Sequence, residues 1–136
     1  MASRTKKRLA NDSNLLKEAS KDLMDSLKEM GVKEKIIFDI RVGFEEALRN
    51  AMIHGNKSCS DKCVMVETEV TPEEAVIIIE DEGEGFNHSK VPDPTEKENL
   101  LKEGGRGVYL IKHLMDEVSY ENEGRRVVMK KRLKSQ

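Results

Sequence analysis

The chain has 136 residues, a formal net charge of −2, and hydrophobic and charged residues at 37% each. That length fits one domain with a single core beneath a densely charged surface. Lys plus Arg (24) nearly balance Asp plus Glu (26), so nothing global argues for nucleic acid, and no apolar stretch is long enough to cross a bilayer.

The opening "MASRTKKRLANDS" carries basic residues with no hydrophobic run behind them, unlike a secretory signal. Asp12, Ser13 and Asn14 are caps for a helix to about Met30, with Leu16, Ala19, Leu23, Leu27 and Met30 at helical spacing and Gly31 as terminator. A second helix is predicted from Lys33 to His54, its core side made by Ile36, Ile37, Ile40, Phe44, Ala47, Leu48, Ala51 and Met52. The polar loop "GNKSCSDK" follows, holding both cysteines, Cys59 and Cys63. Two cysteines with no nearby His make a poor zinc site, and free thiols of a reducing cytoplasm are expected.

Val64, Val66, Thr68 and Val70 alternate with Met65, Glu67 and Glu69, which predicts a strand. After the turn "TPEE", the run "AVIIIE" reads as a central strand that stops at "DEGEGF". The segment from Asn87 to Glu103, with Pro92 and Pro94, reads as a long binding loop or lid with one helical turn near "ENLLK". "GGRG" then opens a third helix with Val108, Ile111, Leu114 and Met115 inward. Strands at about Glu117–Glu121 and Arg125–Leu133 close the chain as a hairpin about "NEG". Basic and apolar residues alternate in "RRVVMKKRLK", which predicts a strand with one wet face rather than a nucleic-acid patch. The expected fold is α/β: a two-layer sandwich with helices on one face of a mixed, mostly antiparallel sheet.

Three polar constellations stand out. Glu46, Asn50 and His54 recur every fourth residue and share one helical stripe. A solvated face is the ordinary explanation, but an amide oxygen can ligate Mg²⁺ and a carboxylate one turn away can accept a proton. Asp81, at the end of a buried strand, needs a donor partner; the exocyclic amine of adenine is one, and guanine O6 would repel it. Gly83 and Gly85 beyond it let the backbone approach a ring. Gly104, Gly105, Arg106 and Gly107 precede a helix, whose unpaired amides attract phosphate. Neither the Walker pattern nor G-x-G-x-x-G occurs.

In this order the motifs resemble the GHKL ATPase superfamily, the Bergerat ATP-binding fold. "EALRNAMIHG" is similar to its N box, "DEGEG" to its first glycine box and "GRGVYLI" to its second. The Asn-Ala-x-x-His-Gly ending resembles the anti-sigma-factor serine/threonine kinases of bacterial partner-switching systems. The resemblance runs from about Ile36 to Leu133.

By this resemblance Asn50 holds Mg²⁺ against ATP phosphates and Glu46 is the general base. Glu45, about 100° round the helix, points elsewhere. Asp81 contacts adenine, and Gly83 and Gly85 shape that pocket. Gly105, Arg106, Gly107 and Val108 fall on the second glycine box as ATP contacts, the lid covers about 87–105, and His54 is a structural neighbour. The implied protein is a cytoplasmic ATP-dependent serine/threonine kinase that binds a sigma factor and phosphorylates an anti-sigma-factor antagonist, with a homodimer as a family expectation. There are two departures. Only "SRTKKRLAN" is available for the edge strand that relatives place before the first helix, so that strand is expected to be short or absent. Where relatives carry a Thr after a glycine in the last hairpin, Gly124 is followed by Arg125 and Arg126. The rival readings are an ATP-binding interaction module with weak catalysis and a detached histidine-kinase catalytic domain.

Overall fold

Asp12 starts the first helix by accepting the Asn14 N–H at 2.8 Å, which satisfies one of the helix's unpaired amides. The computed structural model describes residues 3–57, 59, 61–83 and 103–134, with the backbone alone for 103–108. Helix α1 (Ser13–Glu29) buries Leu16, Ala19, Leu23 and Leu27, as their spacing predicts. Met30, expected inward, is instead the exposed C-cap. Gly31, at φ +75°, turns the chain out of the helix. Its N–H donates to Lys28 O, and the Val32 N–H reaches Leu27 O, so the last carbonyls are satisfied by a left-handed residue that carries no Cβ.

Helix α2 (Glu34–Asn50) buries Ile37, Ile40, Phe44, Ala47 and Leu48. Its predicted continuation to His54 changes winding: Ala51–Gly55 form a π-helical turn, closed by the Asn56 N–H donating to Ala51 O at 2.8 Å. Such single wide turns often mark functional sites.

Strand β1 (Ser3–Ala10) corrects the expectation of a short or missing first strand. All eight residues pair with β2 (Cys63–Val70), from Ser3↔Val70 to Ala10↔Cys63. Only Leu9 of β1 is buried, so no hydrophobic alternation announced it; exposed basic side chains are what an edge strand carries. Strand β3 (Glu74–Glu80) follows, and the sheet order is β1-β2-β3-β5-β4. All four pairings are antiparallel, so among the described residues the sheet has no parallel pair. On β2 and β3 alternate residues are buried, including Val64, Val66, Ala75, Ile77 and Ile79, and they join the helices in one core.

Helix α3 (Glu103–Leu114) begins earlier than predicted. Gly104, Gly105 and Gly107 therefore belong to its opening turns rather than to a loop before it. Ile111 and Met115 face the core. Strands β4 (Glu117–Glu121) and β5 (Arg126–Arg132) are joined by a 3₁₀ turn, Asn122–Gly124, as the "NEG" signal predicts. The wet face expected of β5 has an exception. Lys131 shares a side with the buried Val127 and Met129, donates to Leu114 O at 2.6 Å and lies 3.4 Å from Asp39. It ties the C-terminal end of α3 to α2 through a largely buried charge pair. The expected helical turn near "ENLLK" and most of the expected lid, residues 87–102, lie outside the described residues.

Candidate functional site

Glu46 and Asn50 sit one turn apart on α2, both half-buried. Glu46 accepts from the Arg49 guanidinium. Glu45 faces the other way, accepting from Ser20 of α1 and from Arg41, as its place on the helix predicts. His54 falls in the π turn and is exposed. The wider winding after Asn50 takes it off the i, i+4 line that an uninterrupted α-helix would keep.

The π turn delivers Gly55 to the end of β3. A Cβ at Gly55 would overlap the Asp81 carboxylate, and a Cβ at Gly83 would overlap Gly55 O. Gly55, Asp81 and Gly83 thus meet with no room for any side chain at either glycine. Gly55, which ends the N box, is the residue that reaches the second constellation. Asp81 is 8% exposed. Its N–H donates to Arg125 O at 2.9 Å, and its Oδ1 accepts the Gly83 N–H at 2.8 Å. Burial pushes the Asp81 carboxyl above the ordinary carboxylate range, a shift opposed by the Gly83 N–H and the charges of Arg125 and Lys62, and aided by Glu80.

The β4–β5 turn closes the same end. Asn122 Nδ2 donates to Glu80 Oε2 at 2.8 Å, and Arg126 lies 3.4 Å from Glu80 and 2.9 Å from Glu121. The two arginines of the last hairpin are therefore at the Asp81 end, one through its backbone carbonyl and the other through carboxylates flanking it. Of the third constellation, Gly105, Arg106, Gly107 and Val108 are helical in α3, which packs on α2. Gly85 lies outside the described residues.

The sequence description of the histidine kinase-like ATPase domain matches residues 9–131. The chain belongs to that family. The ATPase domain is similar to the "Anti-sigma F factor" of Clostridium novyi (strain NT), 34% identical over 105 residues, 73% of each chain. It is similar to the "Serine-protein kinase RsbW" of Staphylococcus aureus (strain MSSA476), 32% identical over 108 residues, which are 74% of this chain and 68% of that one. It also resembles the "Anti-sigma F factor" of Clostridium perfringens (strain SM101 / Type A), 32% identical over 101 residues, 70% of this chain and 71% of the relative. The resemblance read from the three motifs therefore stands, and the match begins well before the Ile36 from which those motifs could be followed.

One residue of this ATPase domain escaped sequence reasoning. Asn56, next after the N-box glycine, is fully buried. Its Oδ1 accepts the Glu82 N–H at 2.7 Å, and its Nδ2 donates to Asn11 Oδ1 at 3.1 Å and to Cys63 O at 3.0 Å. In sequence it opens a polar loop and looks like any turn asparagine; only its contacts distinguish it.

The donor set also bears on Mg²⁺. Asn50 offers a single neutral amide oxygen, and no group of three or more His, Cys, Asp or Glu able to hold a metal ion occurs among the described residues. That chemistry fits a Mg²⁺ that arrives on nucleotide phosphates and keeps its waters.

Proposed function

We propose that this ATPase domain is an ATP-dependent serine/threonine protein kinase that acts as an anti-sigma factor, binding a sigma factor and phosphorylating an antagonist protein. The observation that carries the reading is the junction of Gly55 with Asp81 and Gly83, which sets the N-box helix against the end of β3 without intervening side chains. The names of the relatives, anti-sigma F factor and serine-protein kinase, supply the activity and the first partner.

In this reading the Asp81 carboxylate accepts from the adenine amine, and Gly83 and Gly85 admit the ring. Asn50 turns its amide oxygen to the metal that accompanies the phosphates, and Mg²⁺, when bound, neutralises phosphate charge. The opening turns of α3 face the phosphates: its first amides, up to about Gly105, lack intrahelical acceptors, and Arg106, Gly107 and Val108 follow as further ATP contacts. Glu46 takes the proton of the attacking serine or threonine hydroxyl. It must first leave Arg49, whose side chain is 48% exposed; such an i, i+3 pair is worth only about 0.2–0.5 kcal/mol, so the carboxylate is cheaply released. Phosphoryl transfer of this kind is mostly positioning and electrostatics.

A single domain over 1–136, a lid over about 87–105 and a cytoplasmic location belong to the same reading. No described helix is long and apolar enough to cross a membrane. A homodimer also belongs to it, and the full-length β1 at the sheet edge removes the objection that this edge was missing.

The deciding experiment incubates the protein with γ-labelled ATP, Mg²⁺ and candidate antagonists from its host. Acid-stable phosphate on a serine or threonine of one antagonist is expected. Acid-labile phosphate on histidine would replace the reading with a detached histidine-kinase domain. Binding of ATP with no transfer to any co-purifying partner would leave an interaction module.

A further inference from the structure

The segment after β3 is held from several sides, and a buried side-chain amide holds one of its backbone N–H groups. Glu82 N–H donates to Asn56 Oδ1 at 2.7 Å. The Glu82 carboxylate accepts the Cys63 N–H at 2.6 Å and pairs with Arg8 at 3.2 Å. Asn56 in turn is fixed by Asn11, whose own Nδ2 donates to Cys59 O at 2.7 Å. Asn56 thus joins four parts of the chain: the π turn it follows, the β1–α1 junction, the start of β2, and the residue beside Asp81.

We infer that Asn56, clamped by Asn11, is a positioning residue that aims the Asp81 carboxylate and so sets purine selectivity. The inference rests on the reading of Asp81 as the adenine contact. Asp81 lies between two backbone tethers, its own N–H on Arg125 O and the next N–H on Asn56 Oδ1. With both in place the peptide on each side of Asp81 is tethered, which holds the carboxylate against Gly55 and on the Gly83 N–H. Without the second, Glu82 N–H is an unpaired donor that must find water or a new acceptor, and the peptide turns to meet it. A carboxylate that wanders can no longer discriminate an amine from a carbonyl at the purine 6-position.

The test compares equilibrium binding of ATP and GTP, each with Mg²⁺, to the wild-type chain and to Asn56→Ala and Asn11→Ala. Partial unfolding lowers both affinities by one common factor and leaves their ratio alone, so the ratio separates aiming from mere support. The wild type is expected to prefer ATP. Asn56→Ala should cut that preference about tenfold, the effect of one lost hydrogen-bond constraint, and Asn11→Ala should cut it less. Exchange of the Glu82 and Gly83 amides, followed by NMR, should quicken in both variants. If Asn56→Ala does not fold, Asn11→Ala decides, because it leaves Asn56 in place and removes only its clamp. An unchanged ATP-to-GTP ratio in a folded variant overturns the positioning role while leaving the kinase reading intact. A wild type with no preference for ATP overturns the Asp81 assignment and the positioning role together.

Discussion

Asp81 and Asn50 stand for two ends of the candidate site, and their surroundings differ sharply. Around Asp81 the residue is 8% exposed, the neighbouring Asn56 is fully buried, and two glycines leave no space for a methyl group. Around Asn50 the polar groups lie at the rim: Glu46 is 23% exposed and its partner Arg49 is 48% exposed. The proposed purine end is thus built into the core by backbone contacts that the fold cannot relax without local rearrangement. The proposed catalytic end consists of side chains on a helix surface, whose exchange is expected to cost little stability. In the proposed reading, such a site ties base recognition to folding and leaves the chemistry adjustable.

Substitutions can break or sharpen that contrast. The largest effect is expected at the rim on activity alone: Glu46→Gln should slow phosphoryl transfer by about 10²–10⁴-fold, the usual worth of a general base, with ATP affinity and denaturation midpoint unchanged. Single-turnover transfer and urea unfolding on one preparation check both halves. Next comes the buried end. Gly83→Val drives a side chain into Gly55 O, so it should lose about 2–3 kcal/mol of stability, as overpacked sites do, along with ATP binding. Unchanged unfolding here would erase the contrast.

Asn50→Ala should lower ATP affinity about tenfold in Mg²⁺ and hardly at all in EDTA, with stability within about 0.5 kcal/mol of wild type. Titration calorimetry with and without the metal reads the difference, and equal losses in both would remove Asn50 from the metal.

The smallest effect is a change in pH dependence. Burial raises the folded-state pKa of Asp81 above its ordinary 3.8, so the folded chain holds that proton more tightly than the unfolded one. The resulting stabilisation is complete below pH 3.8 and is lost as the pH rises through the raised value. At pH 7 the ionised, buried carboxylate costs stability. Asp81→Asn should therefore melt above wild type at pH 7 while losing its preference for ATP, and the gap in melting temperature should narrow as the pH falls to the unfolded-state value. A variant that melts lower at pH 7 would show that the contacts of the charged group outweigh its burial.

Much of this was legible in the residues. The helical spacing of Leu16 to Leu27, the alternation from Val64 to Val70 and the terminator Gly31 report local physics that tertiary structure did not override. Strand β1 was not legible, because an edge strand whose side chains meet solvent has no burial period to display. The π turn was not legible either, since α and π windings share the same apolar run until a tertiary contact selects one. In this chain the π turn ends where Gly55 comes against Asp81.

By itself the sequence determined which residues could serve: a carboxylate and an amide one helical turn apart, an acid ending an apolar strand, and glycines where backbone must come close. These follow from side-chain chemistry and short-range periodicity, which neighbours along the chain already specify. Only the tertiary structure decided that Gly55 and Gly83 would share one contact with Asp81, that Lys131 would turn inward to Asp39, and that Asn56 would become a buried junction. Each of those depends on which distant backbone groups are left needing a partner once the sheet has formed, and nothing near them in the chain carries that information.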